Sequence, residues 1–220
     1  MVVAGLSEDG RREILTWRVD DVESEATWSE VFTELRERGV NGVQCVVSDG
    51  HKGIQAAVDR QFPSADWQRC WCHFIREALN KVSHKDKTAL SRDLTAARKL
   101  EDVKLCMAEA ARVARRWEKR YPKVAAQIHE QFEQTLTVHH LPPRLRRRVY
   151  TTNLLERVMK EIKRRTNVVG IFPNEASCDR LIGAQLIERQ EKWMCEPMRY
   201  VVFEDNQEIT SKKTQKKKAA

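Results

Sequence analysis

Two carboxylates stand in sequence settings that suit metal-dependent chemistry on nucleic acid. Asp49 directly follows an apolar run, Val43–Ser48, that is typical of a strand. Glu156 lies just before a basic segment, Arg157–Arg165, that has the pattern of a helix. A carboxylate at the end of a strand and another beside basic residues can hold a divalent cation against a phosphodiester. The pair therefore indicates phosphoryl-transfer chemistry.

Each carboxylate also has an ordinary structural interpretation. Asp49 precedes Gly50, and Asp-Gly is a common turn sequence. Asn153 and Glu156 have the spacing of a capping box, in which the glutamate would bond back to the backbone. If Thr152 is the N-cap instead, the carboxylate of Glu156 is not used in capping and is available as a metal ligand. The residues alone leave both alternatives open.

The segment after Glu156 predicts a surface for the DNA backbone. Lys160 and Lys163 follow Glu156 at i+4 and i+7, on one helical face, with Arg164 and Arg165 next to them. Such a stripe is suited to phosphate contacts. The competing interpretation is a solvated basic face in which a Glu156–Lys160 pair contributes about 0.2–0.5 kcal/mol.

The distribution of charge supports the DNA interpretation. The 220 residues carry a formal net charge of +8 and a pI near 9.3. Residues 1–82 have a net charge of −4, whereas the remainder has a net charge of +12. The C-terminal part of the chain is therefore expected to face a polyanion.

Cys70, Cys72 and His73 form a compact cluster of side chains that are capable of binding metal. A structural zinc site needs four ligands, usually from two spaced pairs, and no second pair is evident. His73 is therefore expected to reach a phosphate or to order the neighbouring site. Trp71 would either stack on an unpaired base or, as is commoner for tryptophan, pack in the core.

The cysteines and the hydropathy pattern bear on location. Six cysteines without a secretory signal favour reduced thiols of a cytoplasmic protein. No apolar stretch of about twenty residues is present, so a membrane partner is not expected.

Periodicity divides the chain into four parts. Residues 1–82 have the order ββαβαβα, which predicts an α/β layer with a mixed sheet. Residues 83–142 have helical periodicity throughout and predict an all-helical insertion. Residues 143–205 are expected to supply helices that complete the core, and residues 206–220 form a lysine-rich tail that is predicted to be disordered.

Four ordered motifs resemble those of the Mutator-type bacterial insertion-sequence transposases. They are SDGHKG at 48–53, QRCWCH at 68–73, TTNLLER at 151–157 and IFPNEAS at 171–177. The resemblance runs from about Val2 to about Tyr200. Each motif alone would be weak, but four in the right order and spacing form a specific signal.

This resemblance implies an RNase H-like fold that carries a DDE triad, with a helical insertion between the second Asp and the Glu. By resemblance, Asp49 is the second Asp and Glu156 is the Glu, and both are catalytic ligands of Mg²⁺ or Mn²⁺. Cys70 and His73 match a Cys-x-x-His motif that is thought to be structural or to handle DNA at the site. We therefore include them, with the basic residues of the 156–165 segment, among the expected DNA-binding residues.

The chain departs from the family pattern at its start. The first Asp of the triad is expected on a central strand that precedes the hairpin beginning at Val2, and the sequence shows no such strand. The chain is therefore interpreted as an N-terminally truncated transposase that lacks this strand and is inactive as it stands. The alternative is a non-catalytic DNA-binding remnant that interferes with intact transposase. Expected partners are insertion-element ends, target DNA and further copies of the chain, in the bacterial nucleoid.

Overall fold

The computed structural model describes residues 1–20 and 22–202. The predicted order ββαβαβα for the first 82 residues is confirmed, and helices follow it through the rest of the described chain. The lysine-rich tail predicted at 206–220 lies outside the described residues.

The chain opens with an antiparallel hairpin. Strands β1 (Val2–Leu6) and β2 (Arg12–Trp17) pair across a turn in which Gly10 has a φ of 80°. That left-handed conformation favours glycine, so the Asp-Gly signal in the sequence identified the turn correctly. A bulge between Val3 and Ala4 shifts the register within the pair.

A second sheet follows the first helix. Strands β3 (Cys45–Ser48) and β4 (Asp66–Arg69) pair in parallel, and the helix α2 (Lys52–Gln61) forms the crossover between them. The sequence predicted one mixed sheet, whereas the described strands form two separate two-stranded sheets.

The edge strands of these two sheets differ in their hydrogen bonding. The far edge of β2 is capped, because Gln190 accepts a hydrogen bond from the Ile14 N–H (2.8 Å) and Arg38 donates to the Leu15 carbonyl (2.9 Å). At β4, the Thr137 hydroxyl donates to the Trp67 carbonyl (2.9 Å). Within residues 1–20 and 22–202, no hydrogen bond reaches the outer edge of β1 or of β3.

Both sheets nevertheless pack on the same pair of helices. Helices α1 (Glu25–Glu37) and α2 bury a shared apolar cluster, which includes Phe32 and Val58. The hairpin adds Val3 and Leu15 to this cluster, and the parallel sheet adds Val46 and Trp67. In β3, Cys45, Val46 and Val47 are half-buried and Ser48 is buried.

The helical insertion is an independent core. After α3 (Trp71–Asn80) come α4 (His84–Arg98), α5 (Val103–Glu118) and α6 (Pro122–Gln131), followed by 3₁₀ turns at Glu133–Thr135 and Thr137–His140. Their apolar faces enclose Phe74 and Phe132, which are both fully buried. A short helix that the sequence did not predict, α7 (Pro143–Val149), leads back towards the sheets.

Two long helices cover the opposite face of the hairpin. Helix α8 (Asn153–Val169) and helix α9 (Glu175–Met194) bury Ile162, Leu186 and Trp193 against Val2 and Ile14. The hairpin is thus sandwiched between helices, which is an α/β arrangement of the predicted class. Among the described helices, none has the length and apolar content needed to cross a membrane.

Candidate nucleic-acid and metal site

The starts of α3 and α8 are joined by hydrogen bonds. The Trp71 N–H donates to the Tyr150 carbonyl (3.1 Å). The backbone N–H and the hydroxyl of Thr152 both lie within hydrogen-bond distance of Cys70 Sγ, at 3.3 and 3.2 Å. Two segments about eighty residues apart are therefore held together at the positions where the second and third motifs begin their helices.

A buried arginine strengthens this junction. Arg98, at the end of α4, lies between the rings of Trp71 and Tyr150, with its guanidinium carbon 5.0 and 4.0 Å from the two ring centres. Trp71 is 6% exposed and stacks on Phe74 in the helical core. Of the two alternatives for Trp71, core packing is therefore the one observed.

Glu156 sits in the first turn of α8 with its carboxylate turned towards α3. The N-cap is Thr152, whose carbonyl accepts the Glu156 N–H (2.9 Å), so the capping-box alternative is not what forms. Arg76 Nη2 lies 3.1 and 3.3 Å from the two carboxylate oxygens. His73 Nε2 lies 3.6 Å from Oε1. Lys160, the partner considered from the sequence, does not pair with Glu156.

Asp49 directly follows β3 and bonds to the loop that it begins. Its Oδ1 accepts the His51 N–H (3.2 Å), which is the turn geometry expected of Asp-Gly. The pKa of His73 is raised mainly by a hydrogen bond with Cys70, and the charges of Glu156 and Asp49 raise it further. Both predicted carboxylates therefore lie within electrostatic reach of one imidazole.

Cys70 does not occupy the position expected of a DNA-contacting residue. Its side chain is fully buried, and a buried thiol cannot meet a DNA backbone. Hydrogen bonds with Cys72, His73 and Thr152 lower its pKa, against the opposing effect of burial. Cys70 thus orders the start of α8 and the imidazole of His73, which is half-buried at the surface of the site.

Arg69 is a site residue that sequence reasoning missed. It pairs with Ser48 across the parallel sheet and is 5% exposed. Its Nη2 donates to Glu77 Oε2 (2.9 Å), and its Nε makes no hydrogen bond among the described residues. The guanidinium lies directly against Gly50, so it supports the loop that carries Asp49. No pattern in the sequence marks this long-range contact.

Replacing Gly50 by alanine is expected to lower the free energy of unfolding by about 1–3 kcal/mol, because the new Cβ would collide with the buried Arg69 guanidinium. Urea unfolding measures the loss. Arg69→Ala removes the obstacle, so Gly50→Ala should cost much less in that background. Equal costs in the two backgrounds would show that Arg69 does not support the Asp49 loop.

The basic residues of α8 differ in whether their charge is paired with a carboxylate. Lys160 and Lys163 are exposed and form no ion pair within the described part of the chain. Arg164 and Arg165 both pair with Glu161, at 2.8 and 3.1 Å, and together they lower the pKa of Glu161 to about 2. The i+3 and i+4 spacing of these pairs is visible in the sequence. The two lysines are therefore the stronger candidates for phosphate contact.

The donor set suits one hard divalent cation. Asp49 and Glu156 would supply oxygen ligands, since Mg²⁺ is usually held by one or two carboxylates together with substrate phosphates. Across residues 1–20 and 22–202, no group of three or more His, Cys, Asp or Glu side chains is arranged to hold a metal ion. The zinc alternative at Cys70, Cys72 and His73 gains no support from this arrangement.

Comparison with known proteins gives a consistent answer. A model of the Mutator family of transposases matches residues 1–196. The chain is 39% identical over 208 residues to the transposase for insertion sequence element ISRM5 of Rhizobium meliloti, covering 94% of this chain and 52% of that protein. It is 32% identical over 205 residues to the transposase for insertion sequence element IS256 in transposon Tn4001 of Staphylococcus aureus, covering 92% and 52%. The chain thus spans about half the length of these curated relatives.

Proposed function

Because this chain belongs to the Mutator family of transposases, we propose that it forms part of a core that cleaves and joins DNA with a divalent cation at Asp49 and Glu156. The observation that carries the proposal is that Glu156 Oε1 lies 3.6 Å from His73 Nε2, at one end of the exposed lysines of α8, while the charge of Asp49 also acts on that imidazole. Carboxylates beside a phosphate-binding stripe are the arrangement that metal-assisted phosphodiester chemistry requires.

The residues have separate roles in this proposal. Asp49 and Glu156 are the oxygen ligands of Mg²⁺ or Mn²⁺, which when bound polarises the phosphodiester. Lys160 and Lys163 hold the DNA backbone along α8, with Arg164 and Arg165 contributing more weakly because they are shared with Glu161. His73 faces the reacting phosphate, and Cys70 keeps His73 and Thr152 in place.

We propose that the complete sheet is RNase H-like, with a fifth strand between β1 and β3. The unpaired edges of these two strands and their shared helix pair support this arrangement. A strand parallel to β3 would end beside Asp49, because the carboxyl ends of parallel strands meet at one edge of a sheet. It could carry the third carboxylate. By family resemblance, we expect several copies to assemble on element ends in the nucleoid.

The contribution of the α8 lysines can be measured through the salt dependence of binding. Replacing Lys160 and Lys163 by alanine is expected to lower the slope of log K against log salt by about 2, since each lost phosphate contact removes about 0.9. Fluorescence anisotropy with a double-stranded oligonucleotide gives the slope. Lys104→Ala with Lys123→Ala removes the same charge from exposed positions of the helical insertion and should leave the slope unchanged. Equal slopes for both double variants would contradict the proposed surface.

Nicking of supercoiled DNA tests the catalytic part of the proposal. Mg²⁺-dependent nicking by this chain that disappears with Asp49→Asn would establish a working site. Two carboxylates without a third favour the second candidate, a DNA-binding remnant that does not cut. That candidate predicts retained DNA binding with no nicking in either protein.

A further inference from the structure

The guanidinium of Arg76 pairs with the carboxylate of Glu156, which is a ligand of the proposed metal site. Its Nη2 lies 3.1 Å from Oε1 and 3.3 Å from Oε2 of Glu156, so one cationic group faces both oxygens. Arg76 stands one helical turn after His73 on α3, and His73 approaches Oε1 from the same side. In the conformation described, Glu156 is thus neutralised by the protein itself.

Simultaneous binding of a divalent cation and of Arg76 to the carboxylate of Glu156 is unfavourable. Two positive charges on the same carboxylate repel each other, and the side chain of Glu156 is only about one-third exposed, at 32%, so solvent screens that repulsion incompletely. Binding of a metal at Glu156 therefore requires Arg76 to move away.

Arg76 is free to make that move. Its side chain is 56% exposed, and Glu156 is the one ion-pair partner it has within the described residues. By contrast, Arg69 on the preceding strand is buried and fixed by Glu77. An exposed arginine with one partner can exchange it for a phosphate, for which a guanidinium has suitable geometry.

The stripe of lysines on α8 brings such a phosphate to the right place. Lys160 lies one turn beyond Glu156 on the same helical face, and Lys163 lies on that face as well. A backbone that follows these lysines passes the end of Arg76. Phosphate would thus draw the arginine away from the carboxylate while leaving Glu156 open.

We propose that Arg76 is an exchangeable counter-ion, which neutralises Glu156 in the free protein and transfers to a DNA phosphate when DNA binds. This inference rests on the proposed function of Glu156 as a metal ligand. It makes Arg76 a positioning residue that couples occupancy by DNA to the availability of the metal ligand, so that the free protein holds its divalent cation weakly.

Binding of Mn²⁺ to the whole chain without DNA tests the first half of this proposal. Arg76→Gln removes the competing charge and is expected to tighten Mn²⁺ binding by about fivefold or more, the lower end of typical coupling between sites. Arg76→Lys keeps the charge and should remain near the wild-type affinity. Arg116→Gln is the matched control, since the Arg116 side chain is similarly exposed, at 49%, and pairs with Asp93 (2.9 Å) on the helical insertion. It should change nothing.

DNA affinity tests the second half. In the absence of divalent ions, Arg76→Gln should reduce the salt slope of DNA binding by about 0.9, the loss of one phosphate contact. Arg116→Gln should leave the slope intact. Thermal unfolding of each variant shows whether the fold is retained.

The outcomes separate this inference from the function on which it rests. If Glu156→Gln leaves Mn²⁺ binding unchanged in both the wild-type and the Arg76→Gln background, the metal site itself is wrong and the inference falls with it. If Mn²⁺ binding depends on Glu156 but is unchanged or weakened by Arg76→Gln, only the inference is overturned, because Arg76 then acts as a structural tie. An unchanged salt slope overturns the transfer to phosphate.

Discussion

A fifth strand supplied between β1 and β3 is expected to raise the free energy of unfolding by about 3 kcal/mol or more and to switch on Mg²⁺-dependent nicking. The stability gain follows from burial, since each fully buried Val, Leu or Ile contributes about 1.5–3 kcal/mol. The hydrogen-bonding edges of both strands are open to receive it within the described chain, whereas the far edges of β2 and β4 are already in use.

The experiment is a fusion that places an apolar strand of about six residues ahead of Val2, ending in Asp and joined by a short loop. A matched fusion that ends in Asn keeps the strand but not the ligand. Both should unfold at higher urea concentration than the present chain, and only the Asp form should nick DNA. Adding Asp49→Asn should then reduce nicking at least about a hundredfold, since even outer-shell changes at metal sites cost 10–100-fold. Urea midpoints equal to that of the present chain would show that no strand is accommodated between β1 and β3.

Replacing Phe74 by alanine is expected to lower the free energy of unfolding by about 3–5 kcal/mol. Phe74 is fully buried and its ring centre lies 5.6 Å from that of Trp71 and 5.9 Å from that of Phe132. Truncation leaves a cavity at the point where α3 meets the helical insertion. Because α3 also carries His73 and Arg76, the same change should weaken DNA binding.

Urea unfolding and anisotropy measure these two effects. Leu105→Ala is the control, because Leu105 is an apolar residue on α5 that is 57% exposed. Its truncation should alter stability by no more than about 0.5 kcal/mol. Similar losses for the two variants would mean that the cluster around Phe74 does not anchor α3.

Much of the local structure could be predicted because it depends on short-range patterns. The Asp-Gly turn, the crossover through α2 and the helical periodicity of the insertion are all set within a few residues. The exposed face of Lys160 and Lys163 follows from helical spacing in the same way.

The predictions that remained open or proved wrong depend on partners far along the chain. Whether Glu156 closes a capping box or turns away is decided with Arg76, eighty residues earlier. The burial of Cys70 follows from its packing beside Thr152, and the loop of Asp49 rests on Arg69 from the neighbouring strand. The motifs alone could not tell which of their side chains meets solvent.

The bond between the Trp71 N–H and the Tyr150 carbonyl has an evolutionary consequence. The chain leaves this hydrogen bond to form the helical insertion and returns to it afterwards, so one backbone contact joins the two ends of the excursion. The entropy of closing such an excursion rises by only about 0.6 kcal/mol for each doubling of its length. Lineages could therefore enlarge, shrink or exchange the insertion as a module, while natural selection acts on the residues that flank this hydrogen bond.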